Sequence, residues 1–147
     1  GSKYKNYLET AQEIIQGCAD IADEVGKQKI GRPAGVTTEG NVYDTDYIES
    51  PYSENSKTDF IDNIKSIQNA YLGSNDGDAS VSDYVKTVSP ETNEEVVAAI
   101  NNAIAKIEAI PGVFRKNYNT QEAKDAAEAC GTTLVNALNK AIRALEE

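Results

Sequence analysis

The sequence predicts an all-α protein, an up-down four-helix bundle with a long crossover loop after the first helix. Three observations carry this. Apolar residues recur at spacings of three and four in four separate stretches, which is one face of a helix each time. Capping residues and glycine or proline breaks bracket those stretches. The 147 residues suffice for one domain, 1–147, with a sizeable core and no visible internal repeat.

The first stretch, about 3–26, places Tyr4, Leu8, Ala11, Ile15, Cys18, Ala22 and Val25 on one stripe. Tyr7, Ile14 and Ile21 widen it to a band expected to face the core. Gly17 lowers helix propensity within it but permits close helix approach. From Lys27 to Ser53 no helical stripe is evident, and Gly31, Pro33, Gly35, Gly40 and Pro51 punctuate the run. Val36-Thr37-Thr38 and Asn41-Val42-Tyr43 suggest a short hairpin about Glu39-Gly40. The whole run reads as an ordered crossover delivering a polar knuckle, Glu49 to Ser53.

The second helix, about 57–72, follows from Phe60, Ile64, Ile67 and Tyr71. Ser56 with Asp59 three residues on resembles a capping box, and Gly73 ends the run. Asn75-Asp76-Gly77-Asp78 is turn chemistry; an EF-hand would need further ligands and a distal Glu. Ser82 to Lys86 reads as one or two helical turns. Ser89-Pro90 opens the third long helix, about 90–109, striped by Val97, Ile100, Ile104 and Ile107, with Pro in its preferred first position. Pro111-Gly112 stops it. Thr120 caps the last helix, about 120–146, striped by Ala127, Cys130, Leu134, Ala137, Leu138, Ala141, Ile142 and Leu145.

Lysine and arginine number 14 against 24 aspartates and glutamates, a net charge of −10. Such a chain repels phosphate backbones and anionic bilayers, so nucleic acid is not an expected partner. No apolar run reaches the roughly 20 residues needed to cross a membrane. Gly1-Ser2 is too short and polar for a signal peptide and reads as a cloning remnant or an excised boundary, which leaves room for a longer natural precursor.

Histidine is absent, which excludes Ser-His-Asp, Cys-His and histidine-ligated metal chemistry within this chain. The two cysteines, Cys18 and Cys130, have no zinc spacing. Antiparallel packing of the first and last helices puts them at similar height, so contact is expected. A bridge or two buried thiols remain open, with thiols favoured.

The knuckle Glu49-Ser50-Pro51-Tyr52-Ser53 offers a carboxylate and three hydroxyls at a helix start, suited either to capping or to ligand contact. Ser50 and Ser53 have no base and no Ser-x-x-Lys motif, so no catalytic constellation is expected. No metal ligand set is expected either.

The knuckle and the helix after it carry a resemblance. Glu49-Ser50-Pro51-Tyr52-Ser53, then Asp59-Phe60-x-x-Asn63-Ile64-x-x-Ile67-x-Asn69-x-Tyr71-x-Gly73, resembles the second half of the imelysin family. These are bacterial cell-envelope proteins, often iron-regulated, named after an insulin-cleaving protease. Val25 to Gly31 and Ser82-Asp83-Tyr84-Val85 resemble flanking segments of that family, so the likeness runs from about Tyr4 to the end. It implies an envelope location, periplasmic or lipid-anchored, and a binding surface formed by Glu49, Ser50, Ser53, Asp59, Asn63 and Tyr71. It also implies an N-terminal helical half as partner. The family's Gly-x-His-x-x-Glu motif, proposed to bind metal, has no match here, so a metal ion such as iron would belong to the full-length protein. Three functions follow: a non-catalytic ligand- or metal-binding domain, the C-terminal half of an envelope metallopeptidase, or a plain helical interaction module.

Overall fold

The computed structural model describes residues 2–48, 55–73 and 79–146, and among them every regular element is a helix. Helix α1, Ser2–Asp23, continues without a break into a π-helical segment, Glu24–Ile30, and a last turn α2, Gly31–Ala34. Helices α3, Ser56–Leu72, and α5, Pro90–Glu108, flank the eight-residue α4, Val81–Val88. After the short α6, Phe114–Asn117, comes a final rod of three parts. These are α7, Gln121–Glu128, a second π segment, Ala129–Leu134, and α8, Val135–Glu146.

Side chains set the register between neighbouring rods, and each neighbouring pair runs antiparallel. Gln12 Nε2 donates to the Ile142 carbonyl at 3.2 Å, laying α1 against α8. The Cys18 thiol points at the Ile67 carbonyl at 3.9 Å, laying α1 against α3. Lys57 Nζ donates to the Ile110 carbonyl, where a cation meets the negative end of α5. Lys140 meets Glu95 at 2.9 Å between α8 and α5. The enclosed core runs through Ile15, Ile64, Ile67, Ile100, Ile107, Leu134 and Leu138, each fully buried. Phe60 and Phe114 meet edge to face at 5.1 Å and bring α6 onto α3.

Three expected helix starts and stops are met by named bonds. Ser89 Oγ accepts from the Thr92 amide at 3.4 Å, and Thr120 Oγ1 from the Ala123 amide at 3.2 Å. Gly73 ends α3, its amide bonded to the Asn69 carbonyl at 2.8 Å.

Other expectations are corrected. The first rod runs to Ala34, not to 26, and stops where Gly35 turns left-handed at φ 78°. There the Val36 amide reaches the Gly31 carbonyl at 2.9 Å and the Gly35 amide reaches that of Arg32 at 3.1 Å, a Schellman stop. Val25, Ile30 and Ala34 are buried at spacings of five and four. A π segment supports that spacing, whereas a search at 3.6 residues per turn passes over it.

The band is also narrower than expected. Ala11, Ile15, Cys18, Ala22 and Val25 are buried as read, but Tyr7 is 51% exposed, Ile14 36% and Ile21 37%. The Tyr4 side chain lies outside the described residues.

Ser56 is the first helical residue rather than the cap, since the Asp59 amide bonds to the Asn55 carbonyl at 2.9 Å. A full capping box forms instead at Ser80 and Asp83, with reciprocal bonds of 3.1 and 3.0 Å. The segment 36–43 makes no strand. Gly40 and Asn41 both take positive φ, 73° and 57°, and close a tight turn. Arg32 then pins the crossover, its guanidinium on Asp44 Oδ2 at 2.6 and 3.0 Å and its carbonyl on the Asp44 amide at 3.0 Å.

Candidate functional site

The two π segments cross each other at two glycines. A Cβ built on Gly26 would lie 2.1 Å from the Gly131 nitrogen and 2.8 Å from the Ala127 carbonyl oxygen, so the backbones touch. Paired π turns at one crossing are unusual, and such turns concentrate at functional sites. Beside the crossing opens a groove of about 390 Å³. Its polar wall is Lys27, Thr37, Lys124, Asp125, Glu128 and Thr132.

The sequence builds this groove in a definite way. Gly26 and Gly131 remove the side chains that would hold the rods apart, which brings Lys27 and Thr132 to the two lips. The Thr37 hydroxyl donates to the Lys27 carbonyl and folds the start of the crossover over the rim. Lys27 Nζ is held by Asp23, and Gln121 Nε2 by Asp125 Oδ1 at 2.9 Å. Both signs of charge line the groove, so it suits a polar partner able to donate and accept. It carries no activated nucleophile. Sequence reasoning passed over it, although glycines embedded in two apolar stripes were the signal.

Of the sequence-predicted residues, Glu49, Ser50 and Ser53 lie outside the described residues. The chain reaches them from the buried Ile48 and leaves them at Asn55. Asp59 is exposed and Asn63 half-buried on α3, one turn apart. Tyr71 is elsewhere: it is fully buried in the core. Its hydroxyl donates to Asn93 Oδ1 at 2.8 Å, and the Ser82 hydroxyl reaches the same oxygen at 2.6 Å. Burial pushes the Tyr71 phenol well above its ordinary range. It therefore shares no surface with Asp59.

Both cysteines are free and buried. Desolvation raises the Cys18 thiol to about 11 and the Cys130 thiol to about 12, which leaves both protonated and poor ligands at neutral pH. Among the described residues no three His, Cys, Asp or Glu side chains gather closely enough to hold a metal ion. These residues do not fit a resident metal. No helix among them is long and apolar enough to cross a membrane.

The sequence matches the Imelysin family model over residues 2–145. The chain belongs to the imelysin family. Two solved structures are similar to this imelysin chain. One, an imelysin peptidase from Bacteroides ovatus, is 36% identical with a TM-score of 0.76 and matches 90% of this chain. The other, from Parabacteroides distasonis, is described as an iron-regulated protein A precursor. It is 33% identical with a TM-score of 0.72 and matches 86% of this chain. This chain covers only 38% of either structure's own length. No curated protein matches.

Proposed function

We propose that this chain is a non-catalytic half of a larger ligand- or metal-binding imelysin-family protein of the bacterial envelope, working against an N-terminal helical half. One observation supports this above the others. Nearly all of the chain, 90%, matches a solved imelysin structure, yet it accounts for 38% of that structure. Metal ligands, in this reading, are supplied outside these residues, and iron is the ion suggested by the neighbour described as iron-regulated. The knuckle Glu49 to Ser53, with Asp59 and Asn63, is the proposed contact surface toward the other half.

Metal analysis of this chain beside the natural full-length protein tests the reading. Stoichiometric metal in the full-length protein and none retained by this chain is the expected result. Tight iron binding by this chain alone overturns it.

The similarity to an imelysin peptidase favours a second reading, the C-terminal half of an envelope metallopeptidase. Peptide hydrolysis by the full-length protein that a chelator abolishes would select it. Neither metal nor hydrolysis would leave a helical interaction module.

A further inference from the structure

Helix α1 carries an apolar row that its neighbours cover only in part: Tyr7 stacks on Tyr84 of α4 at 5.9 Å between ring centres, yet an open face remains along the row. Tyr7, Ile14 and Ile21 fall at intervals of seven, with Thr10 and Gly17 between them, a heptad seam beside the buried stripe. At 51%, 36% and 37% exposed, the three large side chains each keep about a third to a half of their surface in water. Gly17 is the second observation. A Cβ there would meet nothing within 4 Å, so no neighbour among the described residues requires a glycine. Yet glycine is the poorest helix former after proline. A glycine in the middle of an exposed apolar seam suits a second backbone pressed against it from outside.

Charge argues for the kind of occupant. Along the outer edge of the seam, Glu9, Glu13, Asp20 and Glu24 are all exposed. A second groove, between α1, α3 and α4, is lined by Ile14 on one side and Ala70 of α3 on the other, and Asp59 and Asn63 share the Ala70 side of that helix. A second copy of this chain would set acid against acid along the edge. An apolar helix flanked by lysine or arginine would set opposite charges there.

We propose that the seam Tyr7–Thr10–Ile14–Gly17–Ile21 docks one apolar, base-flanked helix from the portion of the protein outside this sequence. That occupant exists only if, as proposed above, this chain is part of a longer protein, of which relatives hold more than half elsewhere. The small Gly17 admits the partner backbone, Ile14 and Ile21 grip it on either side, and the acidic edge selects it over self-association.

Cysteine labelling tests this, because both natural thiols are buried and held protonated. Ile14→Cys is compared in this chain and in the natural full-length protein, with Thr133→Cys, exposed on the opposite rod, as a second probe. Maleimide should label Cys at 14 about tenfold more slowly, or slower still, in the full-length protein. Adding Gly17→Leu should restore the rate seen in this chain, since the new side chain has open space here but none under a docked helix. Slowing at 133 without slowing at 14 overturns the seam while leaving the larger protein intact. Equal rates at both probes overturn the larger reading as well. Slowing at 14 in this chain alone as its concentration rises identifies a second copy as the occupant and overturns the proposal.

Discussion

Gly26 and Gly131 stand in direct backbone contact, with 2.4 Å between a Cβ added to the first and the Cα of the second. Real Cβ atoms do not approach main-chain atoms so closely, so the rods must separate before any other residue fits at 26. Gly26→Ala should therefore destabilise by about 1–3 kcal/mol or more, the cost of overpacking. Gly17→Ala in this chain should do the reverse. It stabilises by up to about 1 kcal/mol, because the new methyl meets nothing and the helix gains propensity. Thermal unfolding of the two variants should shift in opposite directions, and a shared direction would contradict the packing described.

Ile100 and Leu134 are both fully buried, one on α5 and one in the second π segment. Truncating either to alanine should cost about 2–5 kcal/mol, from lost burial and the cavity left behind. Urea unfolding measures it. A cost below about 1 kcal/mol at either site would place that side chain outside the core.

The cysteine thiols give the fold an alkaline limit. In the unfolded chain they ionise near 9.0, whereas the folded values rise to about 11 for Cys18 and about 12 for Cys130 because burial disfavours the thiolate. The folded state thus holds protons that the unfolded state has released. That stabilisation is whole below pH 9 and is lost as pH climbs through 11 and 12. Melting temperature should fall across this window, and the Cys18→Ala, Cys130→Ala double variant should show a shallower fall. Tyr71, raised in the same sense, leaves a residual slope. An unchanged slope in the double variant would sink the assignment.

Glu49→Ala separates a knuckle that faces another half from one that only caps a helix. In this chain the change should be close to neutral in thermal unfolding. In the full-length protein it should abolish the function under assay. If instead it unfolds this chain and spares the full-length activity, the knuckle is structural and the contact surface lies elsewhere.

Much of the fold was legible because most of its helices obey one period. The stripes through Ile64, Ile67, Ile100 and Leu138 follow spacings of three and four, and all four residues are buried. What was missed has physical causes. Val25 and Ile30 sit five apart in a π turn, so the first rod seemed to stop early. Ile14 and Ile21 are apolar, and apolarity alone does not say whether a neighbour is present to bury them. Ser56 and Ser80 both precede an aspartate by three residues, yet only Ser80 closes the box, because Ser56 is already inside its helix. Tyr71 fits the family pattern of a site residue, while its helical phase with Phe60 and Ile64 assigns it to the core. The groove beside Gly26 escaped notice since its charged residues are scattered between 27 and 128 and converge only when the rods cross.

The π segments also govern which insertions and deletions the gene can absorb. A bond from residue i to i+5 holds one residue more per loop than the α-helical bond, so each segment amounts to an extra residue lodged in a continuous rod. Removing one residue between Glu24 and Ile30, while sparing Gly26, can relax the rod toward ordinary α-helix and leave the bundle recognisable. Removing one from the middle of α5 has no such outlet and turns every later side chain by about 100°. Length variation among homologues should accordingly gather at these two segments and at the loops.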